Sequence, residues 1–221
     1  MLKAVLFDLG ETLVRIADIA EIHRRILDAH GIQRTREEIV AANRTAEKQL
    51  GLELMKTMSD AFWVKRNNLF LEQLDVFGRE DLARFISERW WDYSDVALYP
   101  DAEETLSLLK QKGLKVGIIT NGLQSDIRKI MSKIRLDPSF FDVIVTVSTM
   151  NRMKPEQEIF CHALSALNIA PNEALFVGDT VEYDYEGAKK AGLKALIIDR
   201  QDRIAGDYEK IRDLREILTF V

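Results

Sequence analysis

The 221-residue chain predicts an α/β fold, a doubly wound parallel sheet of Rossmann-like type interrupted by an inserted all-helical domain. Three observations predict it. Residues 4–7 form an apolar run, Ala-Val-Leu-Phe, that stops on Asp8-Leu-Gly-Glu-Thr12, as a strand covered on both faces does when it reaches a turn. Residues 16–97 then show no convincing strand. From Tyr99 onward helix and strand alternate regularly, with short turns marked by Gly or Pro. The expected domains are 1–15 with 98–221 for the α/β core and 16–97 for the helical insertion.

Taken in order, the first strand at 4–7 leads into helices at 19–29, closed before Gly31, and at 35–50. The second opens with a capping box, Thr35 with Glu38. Two more helices are expected at 60–77 and 81–91. Trp63, Phe70, Leu74 and Phe77 recur at offsets that place them on one helical face, read as the core of a bundle. The helix at 101–111 closes at Gly113, and a buried strand at 115–119 ends on Thr120-Asn121-Gly122. A helix at 124–134 and a strand at 142–147 follow. A loop then reaches Lys154-Pro155, where Pro155 suits the first turn of a helix running through Leu167. The strand at 174–177 ends on Gly178-Asp179, the helix at 183–191 stops at Gly192, the last strand covers 195–198, and a terminal helix is expected at 208–218.

Composition narrows the function classes. With 47% hydrophobic and 30% charged residues, the chain reads as an ordinary globular protein able to bury a core. A net charge of −5 without a Lys/Arg block argues against nucleic acid or an anionic membrane as partner. Cys161 is the only cysteine, so no intrachain disulfide can form, and a reducing, cytoplasmic setting is expected. No signal peptide is expected ahead of the first strand, and no apolar segment approaches the roughly 20 residues that span a bilayer. His23, His30 and His162 fall in expected helices away from the strand ends and read as surface or partly buried positions, Cys161 reads as core beside Phe160, and Lys189-Lys190 reads as a solvated helix face.

Right-handed crossovers put the ends of parallel strands on one edge of the sheet, and ligands of open α/β sheets bind there. Asp8 with Thr12, Thr120 with Asn121, Lys154, and Asp179 with Asp184 are expected to converge at that edge. Taken singly, each motif is ordinary turn chemistry. Their common position after apolar strands points to a site, and phosphoryl transfer is the chemistry such a set can run. Three carboxylates near one point repel one another unless a cation neutralises them, and hard oxygen ligands suit Mg²⁺. Thr120 and Asn121 can hold phosphate oxygens, Lys154 supplies positive charge, and Asp8 becomes the nucleophile of an aspartyl-phosphate route.

These motifs, in this order, resemble those of the haloacid dehalogenase-like superfamily. The first is similar to Asp-x-Asp-x-Thr, here Asp8-Leu-Gly-Glu-Thr12. The others are similar at Ile119-Thr120-Asn121-Gly122, at Lys154-Pro155, and at Gly178-Asp179 with Asp184 and Gly187-Ala188. The resemblance implies Asp8 as nucleophile and metal ligand, Thr120 and Lys154 on the phosphoryl group, and Asp179 and Asp184 on Mg²⁺. It also implies a sheet ordered 5-4-1-2-3, counting five strands along the chain. The helical insertion would be a mobile cap, as in phosphoglycolate phosphatase-like members, and the substrate a small phosphorylated metabolite.

One position departs from the pattern. Where phosphatases of the superfamily carry an aspartate that protonates the leaving group, this chain has Gly10, whose backbone carbonyl can still ligate the metal. Acid-base assistance is worth about 10² to 10⁴ in rate, so turnover is expected to favour acyl or aryl phosphates, with Glu11 as the alternative acid. Two other readings stay open: carbon-halogen hydrolysis, whose leaving group needs no proton but whose enzymes lack the metal carboxylates, and a non-catalytic phosphate- or partner-binding module.

Overall fold

A computed structural model describes residues 1–55 and 60–221. Residues 56–59, inside the stretch expected to be helical, lie outside the described residues. The chain divides into two compact units, residues 1–15 with 96–221 and residues 16–95. Its strands are β1 (Ala4–Phe7), β2 (Val14–Ile16), β3 (Val96–Leu98), β4 (Lys115–Thr120), β5 (Val143–Thr146), β6 (Ala174–Gly178), β7 (Lys194–Ile198) and β8 (Lys210–Ile211). Its helices are α1 (Ile19–Ala29), α2 (Arg36–Met55), α3 (Asp60–Glu72), α4 (Glu80–Tyr93), α5 (Pro100–Gln111), α6 (Gln124–Ile134), α7 (Val147–Met150), α8 (Gln157–Leu167) and α9 (Gly187–Lys190).

The first unit is built on one sheet, ordered β5-β4-β1-β6-β7-β8, with every pair parallel. This is the expected order read from the opposite edge, with β8 added. All four residues of β1 are fully buried, which explains why the run carries no polar alternation: a central strand with helices on both faces has no solvent side. Phe160 and Phe176 meet edge to face, centroids 5.2 Å apart, in a core that joins α8 to β6. Phe7 pairs with Val177, and the Asp8 amide donates to the Val177 carbonyl at 2.9 Å. The ladder therefore carries Asp8 to the level of Gly178 and Asp179 at the carboxyl edge.

The helical unit buries Ile22, Ile26, Ile39, Phe70, Leu82 and Ile86 against one another. Its second helix opens as expected, with the Glu38 amide donating to Thr35 Oγ1 at 3.2 Å and the Thr35 amide to Glu38 Oε2 at 2.7 Å.

Several expectations are corrected. Short strands β2 and β3 pair where the chain leaves and re-enters the α/β unit; three residues each leave little alternation to read. The helix expected at 60–77 ends at Glu72, because the Val76 amide turns back to the Leu71 carbonyl and Asp75 is left-handed at φ 57°. Phe77 is consequently exposed rather than core, while Phe70 and Leu74 are buried. Pro155 precedes α8 instead of sitting in its first turn, and Glu156 is the N-cap. Cys161 is exposed, because α8 turns Ile159, Phe160, Ala163 and Leu164 inward and the next position after Phe160 lies about 100° further round. The segment after Asp179 is a π-helical turn, Val181–Glu186, before α9. The expected terminal helix is β8 followed by a 3₁₀ turn, Leu214–Thr219. Ile211, Leu214 and Ile217 are all buried, and their spacing of three suits either helix type. Ile211 instead joins the β7 ladder, and Asp213 starts the 3₁₀ turn by accepting the Arg215 amide at 2.9 Å.

Candidate active site

The four motif ends meet at the carboxyl edge of the sheet around one buried lysine. Lys154 Nζ donates to Asp8 Oδ1 and to Asp184 Oδ1, each at 2.6 Å, and lies 5.4 Å from the centre of the Phe176 ring. Only 2% of Lys154 and 1% of Asp184 is exposed. Asp8, Asp179 and Asp184 each bring a carboxylate oxygen within 4.8 Å of the others.

Each side chain is placed by a local device. Asp184 sits in the π-helical turn, a form often found at functional positions, and its Oδ2 accepts from the Thr180 amide at 2.9 Å and the Thr180 hydroxyl at 2.6 Å. That fixes Oδ1 toward Lys154. Gly178 makes room: a Cβ there would lie 2.5 Å from the Asp184 Cβ. Asn121 holds Lys154 from the main chain, Nδ2 donating to the Lys154 carbonyl at 3.2 Å and Oδ1 accepting its amide at 2.7 Å. The side-chain amide expected to meet phosphate is thus engaged on Lys154. Thr120 Oγ1 accepts the Gly122 amide at 3.2 Å, which leaves its own O–H to donate elsewhere. Gly10 lies in a tight turn in which the Leu13 and Val14 amides both donate to the Leu9 carbonyl, at 3.0 and 2.9 Å. Thr12 is wholly buried. Thr180 was missed in the sequence, where its place beside Asp179 and four residues before Asp184 was the available signal.

The electrostatics follow from crowding. Burial pushes the Asp8 carboxyl up to about 6; Lys154 opposes that rise and Asp184 adds to it. Asp179, half-buried, is pushed up to about 7 by burial first and then by Asp8 and Asp184. Lys154 would be pulled down by burial, but its two carboxylate partners outweigh that and hold it above the usual lysine value. Three carboxylates around one ammonium leave the site short of positive charge, and an all-oxygen donor set of this size fits a hard divalent cation.

Glu11 stands apart from this arrangement. It is left-handed at φ 53°, and its Oε2 accepts the Tyr99 hydroxyl at 2.8 Å. Burial, then the Glu11 hydrogen bond, pushes that hydroxyl up to about 12, so it remains a donor.

Comparison with known proteins gives a consistent result. The model of the haloacid dehalogenase-like hydrolase family matches residues 2–192. A glyceraldehyde 3-phosphate phosphatase of Methanocaldococcus jannaschii is 30% identical, covering 100% of this chain and 97% of that protein. The (S)-2-haloacid dehalogenase 4A of Burkholderia cepacia is 28% identical over 90% of this chain and 84% of its own length. Among solved structures, a HAD phosphatase from Thermococcus onnurineus superposes with a TM-score of 0.63 at 26% identity, covering 99% of this chain and 97% of that one.

Proposed function

The chain belongs to the haloacid dehalogenase-like hydrolases, and from that premise we propose that it is a Mg²⁺-dependent phosphohydrolase acting on a small phosphorylated metabolite through Asp8. The observation that carries this reading is the surplus of carboxylate around Lys154, with Asp8, Asp179 and Asp184 within 4.8 Å of one another. A site for halide departure has no use for that surplus, whereas phosphoryl transfer needs a cation and the groups to hold it.

Asp8 attacks phosphorus through a carboxylate oxygen, the bond from phosphorus to the leaving oxygen breaks, and an aspartyl-phosphate remains. Water then attacks that phosphorus, releases inorganic phosphate and returns the carboxylate. Lys154, bonded to Asp8 Oδ1, orients the nucleophile and offers positive charge to the transferring group, and the Thr120 hydroxyl donates to a phosphoryl oxygen. Asp8, Asp179, Asp184 and the main chain of Gly10 would hold Mg²⁺, which when bound would supply the remaining positive charge. Gly10 offers no proton to the leaving oxygen, and the Glu11 carboxylate is engaged by Tyr99. The enzyme therefore works best on acyl and aryl phosphates, whose leaving groups carry negative charge unaided.

The experiment is a turnover screen of acyl, aryl and alkyl phosphates and 2-haloacids, with Mg²⁺ and with a chelator. Expected are hydrolysis of acyl and aryl phosphates, its loss on chelation, and no activity in Asp8→Asn. Chelator-resistant haloacid turnover without phosphate release would replace this reading with dehalogenation. Phosphate-ester binding without turnover would replace it with a binding module.

A further inference from the structure

We propose that Arg200 is a positioning residue for the turn that carries Asp8, acting through the main-chain carbonyl of Thr12. Arg200 follows β7 and lies far from the motifs in sequence. Its Nη2 donates to the Thr12 carbonyl at 2.9 Å and its Nη1 to Asp101 Oδ2 at 2.8 Å. The guanidinium carbon stands 3.7 Å from the centre of the Tyr99 ring, the ring whose hydroxyl holds Glu11. Asp101 Oδ2 is fixed in turn by the Leu214 amide at 2.7 Å. One planar cation therefore ties the turn after Asp8 to the first turn of α5 and, through Asp101, to the C-terminal 3₁₀ turn.

Two features argue that this contact sets geometry rather than serving as a simple anchor. The turn contains a strained residue: the left-handed conformation is unfavourable for a residue other than glycine, and Glu11 adopts it at φ 53°. Its internal amide bonds end on the Leu9 and Val14 carbonyls, so the bond from Arg200 reaches the turn from outside at the residue after Glu11. The second feature is the incompleteness of the cluster. Thr12 Oγ1, Asp101 Oδ1 and Arg200 Nε are buried without a hydrogen-bond partner among the described residues. A buried ion pair is poor evidence for stability even when fully satisfied, and unsatisfied buried atoms add a cost that function commonly explains. Arginine is also required by shape. Two diverging donors in a fixed plane reach Thr12 and Asp101 while the face covers Tyr99, and a lysine ammonium offers no such plane.

The test compares wild type, Arg200→Met and Arg200→Lys in the full chain. Hydrogen exchange of the Glu11, Leu13 and Val14 amides is measured first, because it requires no activity. In both variants these amides are expected to exchange about tenfold faster, roughly the effect of one lost hydrogen bond, with β4 to β7 unchanged. The kinetic arm rests on the phosphohydrolase reading: kcat for an aryl phosphate falls, by up to about 10²-fold for a misplaced nucleophile, while KM stays within about twofold. Arg200→Lys recovers thermal stability through Asp101 but not kcat. Wild-type exchange at the turn in either variant overturns the proposal, as does acceleration spread evenly over the α/β unit, the signature of a structural anchor. Absence of phosphate turnover by wild type would defeat the phosphohydrolase reading, with exchange still deciding the role of Arg200.

Discussion

On the phosphohydrolase reading proposed above, the missing side chain at Gly10 would govern reactivity. Positive φ among the described glycines occurs at Gly31, Gly78, Gly113, Gly192 and Gly206, so the backbone at Gly10 accepts a larger residue without a left-handed penalty. Gly10→Asp is therefore expected to raise alkyl phosphate turnover by about 10² or more, and to flatten the dependence of rate on leaving-group pKa measured over a series of esters. A steep dependence surviving in Gly10→Asp would show that the new carboxyl does not reach the leaving oxygen. At Gly178 the opposite holds, since a methyl group would collide with Asp184. Gly178→Ala should weaken Mg²⁺ binding by calorimetry about as much as Asp179→Asn does, at least tenfold by the scale of lost metal support. The crowded carboxylates also set a pH dependence. With Asp8 at about 6 and Asp179 at about 7, protons should compete with the proposed Mg²⁺ below pH 7. Affinity should rise with pH through that range and level off above it, with protons released on binding at pH 6. Pairs of buffers with different ionisation heats would detect the release, and a pH-independent affinity would remove these two groups from the ligand set.

Among the helices, the apolar core of the second unit holds a buried polar cluster. His23 on α1 is wholly buried, its Nδ1 donates to the Ile19 carbonyl at 3.0 Å, and its Nε2 must therefore accept from Arg66 Nη1 at 3.2 Å. The other Arg66 nitrogen donates to Asn43 Oδ1 at 2.5 Å, while Phe70 and Trp90 enclose the imidazole. Burial, then the Arg66 charge, pulls His23 from the usual 6.5 down to about 3. A depressed histidine contributes stability that is complete above pH 6.5 and is lost as pH falls toward 3, because the unfolded chain takes up the proton first. Chemical unfolding should show the helical unit weakening by a few kcal/mol between pH 7 and 4, and His23→Gln should flatten that slope. The sequence placed His23 on a helix away from the strand ends, and that much was legible. Its expected surface or partly buried position is corrected to complete burial, because Asn43 and Arg66 come from other helices and nothing local to α1 records them. The same limit explains Arg200, whose partners Thr12 and Asp101 are distant in the chain. Asp8, Thr120 and Asp179 were readable for the opposite reason, since each ends or follows an apolar run that only a buried strand needs, and Lys154 was readable from its place with Pro155 ahead of a helix.

Over the whole chain, the order of the five longer strands was anticipated through the family resemblance; right-handed crossovers by themselves put the strand ends on one edge without fixing their order. The short pairs escaped because two or three residues carry too little pattern. One of those pairs, β2 with β3, closes the neck of the insertion. The Ala17 amide donates to the Asp95 carbonyl at 2.8 Å, and the Tyr99 amide to the Leu13 carbonyl at 2.9 Å. Replacing residues 17–95 by a short Gly/Ser turn should leave an α/β protein that unfolds cooperatively in denaturant and still binds Mg²⁺. Failure to obtain a cooperative transition would show that the sheet depends on the helices for its stability. In a neck this narrow the chain exits and returns at one point, so the length of what lies between matters little to the sheet, each doubling adding only about 0.6 kcal/mol of closure entropy. Heredity can exploit such a junction. An insertion joined in this way could lengthen, diverge or be exchanged between lineages as a cassette while the strands that carry the carboxylates kept their register.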